Sequence, residues 1–359
     1  MFSRGVAPMR RSKFLRGMAL AAALAAGPAL AAAAAVPPLH AVKVIASARL
    51  PINTPQGRAE FPLYVSADWT IPQPHVTRAV IVLHGRLRNA DVYFGSLEAA
   101  RAAAHADPAT TLLIAPQFLA SVDTRAFASP ANLLRWHGDA WMDGGPAAGA
   151  VPVSSYAVLD RIVERLADRH LFPALKSVVL AGHSGGAQFV QRYAEASRAA
   201  DALAAAGIDV RYLVANSSSY AYFDALRPDA SGAPAPFDAS RCPGFDRWKY
   251  GMEERPAFIQ DRTPAQIEAD YAKRRIVYLI GGDDTDPAQS ALDKRCEAEA
   301  QGPQRMARAQ GFFRYLQGRH PEGLNQSMEI VPGVGHDGRR MLTSACALAT
   351  MFDTGSCAD

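Results

Sequence analysis

Signatures of metal and nucleotide sites are missing from this sequence. It contains no H-E-x-x-H pair and no Walker loop, and its four cysteines show no zinc-like spacing. Residues 333–338 satisfy the pattern G-x-G-x-x-G after a predicted strand. The chain ends at Asp359, however, too soon for the further strand and acidic residue that a dinucleotide-binding unit requires. We therefore expect no cofactor and no metal ion.

An excess of charge of one sign is also missing. The formal net charge is +4, but five cations and no acid lie in the first 16 residues, so the rest of the chain carries a charge of −1. Nucleic-acid-binding proteins usually present clustered positive charge. No nucleic-acid partner is expected.

The N-terminal segment is typical of an export signal. Its five cations precede an uncharged, alanine-rich run from Gly17 to about Ala35 that has no polar stop-transfer sequence. We predict that residues 1–35 are a cleaved signal peptide, although a run of about 18 apolar residues would also be long enough for a membrane helix. The mature protein is then periplasmic or secreted, without a stable membrane anchor. Arg10 and Arg11 leave the Sec and twin-arginine export routes both open.

The cysteines form an even set without a C-x-x-C pair, as expected for disulfides in an exported protein. Four cysteines allow three pairings, and free buried thiols are an alternative. We favour one disulfide across the short C-terminal segment and one between the other two cysteines. The predicted pairs are Cys346 with Cys357 and Cys242 with Cys296.

Short β-branched runs that end in turn residues alternate with amphipathic stretches along the chain. We interpret the runs as buried parallel strands at 79–83, 111–114, 178–180, 212–214, 276–280 and 328–331. Amphipathic stretches such as 156–166 and 189–194 have the spacing of crossover helices. The alternation predicts an α/β fold, a mostly parallel central sheet with helices on both faces. Antiparallel strands around 42–47 and 61–66 are expected to precede it.

No repeat or long linker divides the remaining sequence, so we predict a single domain over 36–359. Residues 217–262 interrupt the alternation, because they are rich in proline and aromatic residues. This insertion is either a cap over a pocket or an ordered surface loop held by Cys242.

The most specific signal is a G-x-S-x-G pattern at 182–186, between a predicted strand and a predicted helix. A serine on this sharp turn is held in a strained backbone conformation above the sheet. Its neighbours must be small because strand and helix backbones approach closely, and Gly182 and Gly186 meet that need. Ser184 is therefore the candidate nucleophile, and the alternative is a glycine-rich turn without chemistry.

A serine hydroxyl is a weak nucleophile at neutral pH, so Ser184 needs a base and that base needs an orienting acid. A glycine-rich loop with His336 follows the last predicted strand, and the strand before it ends in the carboxylates of 283–286. Together with the serine turn, these blocks resemble the α/β-hydrolase superfamily. The resemblance implies the chain order serine, acid, histidine, and it identifies His336 as the base because His320 precedes the last strand.

The acid of this superfamily commonly follows its strand in the pattern G-x-x-D. Residues 281–284 match that pattern, which makes Asp284 the implied acid. Asp286 is the reserve candidate, and Asp283 is less favoured. A solvent-exposed loop histidine without chemistry is the alternative role for His336.

The resemblance also implies an oxyanion hole made of two backbone N–H groups. Gly185, directly after the serine, supplies the first. The tract 83–86 resembles the superfamily's His-Gly turn and makes the N–H of Arg86 the second candidate. No Gly-Gly pair follows His84, which departs from the HGGG loop of many lipases and esterases. In the alternative, His84 and Gly85 only shape the turn.

Further blocks resemble uncharacterised secreted α/β-hydrolases over roughly residues 78–343. They are 88–91 with Tyr93, 136–141 and 284–287. Three aromatic residues are candidates for lining a substrate pocket or, alternatively, for anchoring the core. They are Trp136, Trp141 and Tyr220.

The resemblance implies an exported serine hydrolase that cleaves carboxylic esters through a Ser-His-Asp triad and an acyl-enzyme intermediate. Its expected partner is a small-molecule or polymeric ester. A peptidase or amidase with the same triad is one alternative, since one scaffold hosts many activities. A non-catalytic binding protein of the cell envelope is the alternative from another class.

Overall fold

The computed structural model describes Gly5 and residues 40–357. Runs of buried apolar residues form its central strands β3 (Arg78–Leu83), β4 (Thr111–Pro116) and β5 (Ser177–His183). Apart from Gly5, the predicted signal peptide lies outside the described residues. The strands are β1 (Ala48–Thr54), β2 (Gly57–Val65), β3 (Arg78–Leu83), β4 (Thr111–Pro116), β5 (Ser177–His183), β6 (Asp209–Ala215), β7 (Leu226–Pro228), β8 (Pro234–Pro236), β9 (Arg275–Gly281) and β10 (Gln326–Val331).

Eight of these strands form one sheet in the order β1-β2-β4-β3-β5-β6-β9-β10. The β1–β2 and β2–β4 pairs are antiparallel, and the other five pairs are parallel. Strands β7 and β8 form a separate antiparallel pair within the insertion. Each of the six predicted parallel strands coincides with a strand of the sheet, so the α/β prediction is confirmed. The predicted burial is wrong for β10, because it is an edge strand in which only Val331 is buried.

The first predicted strand, at 42–47, is wrong in position, because β1 begins only at Ala48. In the preceding segment the Val42 N–H donates to the carboxylate of Asp123 and the Ala46 N–H to the side chain of Gln117. Side chains, rather than a neighbouring strand, therefore satisfy this backbone.

Helices cover both faces of the sheet. They are α1 (Ala90–Ala103), α2 (Ser121–Ala126), α3 (Ser155–Ala167), α4 (Gly185–Ala196), α5 (Ala199–Ala205), α6 (Pro264–Lys273), α7 (Cys296–Glu299), α8 (Arg305–Arg319), α9 (Gly338–Leu342) and α10 (Ala345–Phe352), with 3₁₀ turns at Ala140–Asp143, Ala239–Arg241 and Ala257–Ile259.

The side chains of β3 alternate between two apolar layers, as expected for a strand buried on both faces. Ile81 belongs to the layer that contains Phe189 of α4 and Phe312 of α8. Val82 belongs to the layer that contains Leu97 of α1 and Met351 of α10. Because these strands are parallel, their carboxyl ends lie at one edge of the sheet, where the loops that follow them meet.

Two disulfides join the predicted cysteine pairs, Cys242 with Cys296 and Cys346 with Cys357. The first ties the insertion to α7. The described chain from His40 onward belongs to one compact unit. None of the helices within residues 40–357 is long and apolar enough to cross a membrane.

Candidate active site

Ser184 lies on the turn between β5 and α4, with φ 59° and ψ −118°. A Cβ atom on Gly186 would lie 2.1 Å from the carbonyl oxygen of Leu83, and one on Gly182 would lie 2.2 Å from the carbonyl oxygen of Gly186. Strand and helix are therefore too close at this turn for any side chain at either glycine. The crowding holds the serine in the positive-φ conformation that non-glycine residues rarely adopt.

The three candidate catalytic side chains form a continuous hydrogen-bonded row. The hydroxyl oxygen of Ser184 lies 2.9 Å from Nε2 of His336, and Nδ1 of His336 lies 2.8 Å from Oδ2 of Asp284. Asp284 is buried, whereas Asp283 and Asp286 are exposed. The carboxylate of Asp286 accepts the N–H of Ala288 and so stabilises its own loop. Of the three acids weighed from the sequence, the structure places Asp284 against His336.

Asn216, at the end of β6, joins the loop of the acid to the loop of the histidine. Its side-chain oxygen accepts the N–H of Gly281 at 2.8 Å, and its nitrogen donates to the carbonyl of Gly335 at 3.0 Å. Asn216 has φ 51°, a conformation that asparagine tolerates better than most residues. This residue was not predicted from the sequence, where an asparagine directly after a buried strand was the available signal.

Arg305 was also missed, and it sets the electrostatics of the acid. Its guanidinium donates to Oδ1 of Asp284 at 3.0 Å, to Ser218 at 3.0 Å and to Gln289 at 3.0 Å. Burial alone would raise the pKa of Asp284, but the hydrogen bond with His336 and the charge of Arg305 hold it below its ordinary value. Asp284 is therefore ionised at neutral pH and can stabilise a protonated His336.

The backbone amides of Gly185 and Arg86 lie close together beside the serine. A Cβ atom on Gly185 would lie 3.0 Å from the backbone nitrogen of Arg86, and one on Gly85 would lie 3.7 Å from Cβ of Ser184. Within residues 40–357, the N–H groups of Gly185 and Arg86 donate to no other protein group. Paired, unengaged donors next to a nucleophile have the arrangement of an oxyanion hole.

His84 shapes the turn that carries Arg86. Its Nε2 accepts the N–H of Phe118 at 2.9 Å, so its Nδ1 is the donor to the carbonyl of Gly85 at 2.9 Å. Burial lowers the pKa of His84 to about 4, which keeps the ring neutral. Arg88, from the sequence block 88–91, donates to the carbonyl of Arg86 at 3.1 Å and is paired with buried Asp123.

His183, the residue before the serine, packs against the candidate base. The centroids of the His183 and His336 rings are 4.7 Å apart. Nδ1 of His183 lies 3.0 Å from the hydroxyl of Tyr93, the residue that accompanies the sequence block 88–91. Burial and the nearby charge of His336 hold the pKa of His183 well below its usual range. The His183 ring is therefore neutral, and it packs against the base without taking a charge.

The three aromatic residues weighed as pocket residues lie in the core. Trp136 is fully buried and donates its indole N–H to the carbonyl of Gly145 at 3.0 Å. Trp141 stacks on Phe118, and Tyr220 stacks on Phe312. These contacts fit the role of core anchors, which was the alternative to lining a substrate pocket.

No protein-family model matches the sequence, and the search of curated proteins returned no match. Solved structures do match. The chain is similar to LpqC, a poly(3-hydroxybutyrate) depolymerase from Bordetella parapertussis, with a TM-score of 0.59 and 21% identity over 87% of this chain and 92% of that one. It is also similar to poly(aspartic acid) hydrolase-1 from Sphingomonas sp. KT-1, with a TM-score of 0.56 and 18% identity over 86% and 99% of the two chains. Likenesses at these identities establish a shared fold.

Proposed function

This chain has the α/β-hydrolase fold, and we propose that it is an exported serine hydrolase that cleaves carboxylic esters. The observation that carries the proposal is the row of hydrogen bonds from the hydroxyl of Ser184 through His336 to Asp284, beside two unengaged amide N–H groups. This arrangement supplies a nucleophile, a base, an orienting acid and oxyanion donors within one site.

In the first step, the hydroxyl oxygen of Ser184 attacks the ester carbonyl carbon while Nε2 of His336 takes the hydroxyl proton. The N–H groups of Gly185 and Arg86 stabilise the negative oxygen of the tetrahedral intermediate. His336 then returns the proton to the departing alcohol, which leaves an acyl group on Ser184.

In the second step, water attacks the acyl carbon while His336 takes its proton. The bond from that carbon to the Ser184 oxygen then breaks as His336 returns the proton to the serine, and the carboxylic acid is released. Asp284 holds the imidazole in the productive orientation and stabilises its charge, because the row of hydrogen bonds keeps their atoms 2.8 Å apart. One structural neighbour is a depolymerase of poly(3-hydroxybutyrate), which is a polyester, and we therefore include polymeric esters among the candidate substrates. The other acts on poly(aspartic acid), a polyamide, which keeps amide substrates as the alternative.

Export is part of the proposal. Residues 1–35 have the composition of a signal peptide, and two disulfides join all four cysteines. Disulfides persist in oxidising compartments and are rare in the cytosol. Both observations support a periplasmic or secreted mature protein.

The test is hydrolysis of 4-nitrophenyl esters of increasing acyl length by protein expressed with its own N-terminal segment. Ser184→Ala, His336→Ala and Asp284→Asn should each lower kcat by about 10³-fold or more, since triad members act as a unit. Asp286→Asn is the matched control, because it removes an exposed carboxylate two residues from the acid, and it should keep nearly full activity.

Labelling of Ser184 with a fluorophosphonate separates the alternatives. Labelling without ester turnover would favour amide or peptide substrates on the same triad. Folded wild-type protein that neither labels nor hydrolyses any ester would refute the enzyme and support the non-catalytic binding alternative. N-terminal sequencing of exported protein tests the signal peptide, and an N-terminus other than one near residue 36 would contradict it.

A further inference from the structure

The hydroxyl of Tyr93 lies where three segments of the candidate site meet. A Cβ atom on Gly85 would lie 2.9 Å from this hydroxyl, and one on Gly338 would lie 3.2 Å from it. Nδ1 of His183 lies 3.0 Å away. Gly85 comes just before the second oxyanion donor, His183 just before the nucleophile, and Gly338 two residues after the base. One hydroxyl therefore lies against all three segments that carry the reacting groups.

Helix α1 holds the Tyr93 side chain in place. Ala90, Leu97 and Ala100 of this helix are buried in one of the two apolar layers that cover the sheet. Tyr93 follows Ala90 by three residues and precedes Leu97 by four, so it lies on the same face of the helix. Its ring packs against the same layer. The hydroxyl thus projects from a helix that is packed on the sheet, which fixes its position better than a loop would.

The chemistry of the hydroxyl assigns the direction of its hydrogen bonds. A hydrogen bond with the backbone of Gly85 lowers the pKa of Tyr93, and since only a donor stabilises a phenolate, the Gly85 N–H donates to the Tyr93 oxygen. Burial has the larger effect and raises the pKa of Tyr93, so the hydroxyl keeps its proton at neutral pH. Because its oxygen already accepts from Gly85, we assign the hydroxyl as donor to Nδ1 of His183.

These two hydrogen bonds connect the end of strand β5 to residues 84–87, which we call the oxyanion loop. The Arg88 N–H donates to the carbonyl of Gly85 at 3.0 Å and closes the loop as a turn. The position of a Cβ on Gly85 is 3.7 Å from Cβ of Ser184, so the loop lies directly against the nucleophile. A shift of the turn would change the distance from the Arg86 N–H to the oxygen that becomes negative. Displacements of about 1 Å at such donors can cost about 100-fold in rate.

We propose that Tyr93 is a positioning residue whose hydroxyl fixes the oxyanion loop against the strand that carries the nucleophile. The inference rests on the proposed function, because it concerns the oxyanion donor of the same site. Tyr93 acts through the backbone N–H of Arg86 and not on the substrate itself.

The first measurement is the hydrolysis of 4-nitrophenyl butyrate by Tyr93→Phe, which removes the hydroxyl and keeps the ring. We expect kcat to fall about 10- to 100-fold while KM stays within about twofold, because the oxyanion forms only in the transition state. A rise in KM without a loss of kcat would overturn the proposal.

Tyr64→Phe is the matched control. Tyr64 lies on β2 and stacks on Phe94 of α1, with 5.6 Å between the ring centroids. Among residues 40–357, its buried hydroxyl has no hydrogen-bond partner. The substitution removes the same atom beside the same helix and should leave kcat unchanged. Folded Tyr93→Phe with the kcat of Tyr64→Phe would overturn the proposal.

A double-mutant cycle tests whether Tyr93 acts through the oxyanion donor. Arg86→Pro removes the backbone N–H at the second position of the turn, where proline is well accepted, whereas Arg86→Ala removes the same side chain and keeps the N–H. Tyr93→Phe should lower kcat about 10- to 100-fold in the Arg86→Ala background but less than about threefold in the Arg86→Pro background, which has no donor left to position. Equal losses in both backgrounds would overturn the proposal, because a general packing role does not depend on that N–H.

Amide hydrogen exchange separates failure of this inference from failure of the hydrolase proposal, since it needs no turnover. The Gly85 amide should exchange at least about 10-fold faster in Tyr93→Phe than in Tyr64→Phe, because it loses its acceptor. Equal exchange at Gly85 would overturn the inference even if the protein hydrolyses esters. Faster exchange in a protein that hydrolyses no ester would support the hold of Tyr93 on the loop and refute the hydrolase proposal instead.

Discussion

Replacing Arg305 with methionine removes the positive charge that faces the candidate acid. The side chain of Arg305 is fully buried and that of Asp284 is 3% exposed, with 3.0 Å between nitrogen and oxygen. Methionine has a similar length but cannot donate to Asp284, Ser218 or Gln289. The substitution therefore leaves a buried carboxylate with His336 as its remaining side-chain partner.

Removing one partner of a buried ion pair costs about 3–5 kcal/mol, because the other charge stays buried without compensation. We expect a loss of stability in that range at pH 7. Asp284 has a lowered pKa in the folded protein, so its ionic interactions stabilise the fold above its unfolded pKa of about 4, and this contribution is lost as the pH falls. The difference in unfolding free energy between wild type and Arg305→Met should therefore be largest at neutral pH and should become smaller below about pH 4.

The assay is urea unfolding at pH 7 and at pH 3.5, with 4-nitrophenyl ester hydrolysis measured on the same samples. Arg314→Met is the matched control, since Arg314 lies on the same helix but is exposed. Activity should fall about 10- to 100-fold in Arg305→Met, because the acid loses one of the groups that orient it. Stability and activity equal to those of Arg314→Met, or a stability difference independent of pH, would refute the reasoning.

The remaining predictions concern packing and cross-linking. Gly186→Ala should destabilise the protein by about 1–3 kcal/mol and abolish ester hydrolysis, because its Cβ would lie 2.1 Å from a backbone oxygen of β3. Gly95→Ala is its contrast: no atom lies within 4 Å of the new Cβ in helix α1, so urea unfolding should show a gain of about 0.5–1 kcal/mol. Replacing Cys242 and Cys296 with serine opens a link across 54 residues and should cost about 4 kcal/mol from chain entropy. An unchanged unfolding midpoint in any of these variants would contradict the corresponding argument.

Much of the fold was predictable because its signals are local. A buried parallel strand is a short β-branched run that ends in a turn, and such runs mark six strands of the sheet. The error at 42–47 has a different origin. That segment is also rich in apolar, β-branched residues, but the N–H groups of Val42 and Ala46 donate to Asp123 and Gln117, which lie more than 70 residues away. Periodicity in a single segment carries no information about such distant partners.

The candidate site also contains some residues that local sequence predicts and others that it does not. The serine turn could be predicted because Gly182 and Gly186 must be small for reasons of strand and helix contact within a few residues. Arg305 could not, because arginine is common on protein surfaces and this one lies in no recognisable pattern. Its burial against Asp284 follows from how helix α8 packs beside the end of β9.

The sequence by itself determined the alternation of strands and helices, the turn that carries Ser184, and the loop that carries His336. These features depend on neighbours in the chain, whose steric and hydrogen-bonding requirements are local. Only the tertiary structure decided that Asp284, and not Asp286, lies against the histidine, and that a buried arginine holds that carboxylate ionised. Side-chain direction at the end of a strand and the charge of a distant helix depend on packing across the whole sheet, which no single segment encodes.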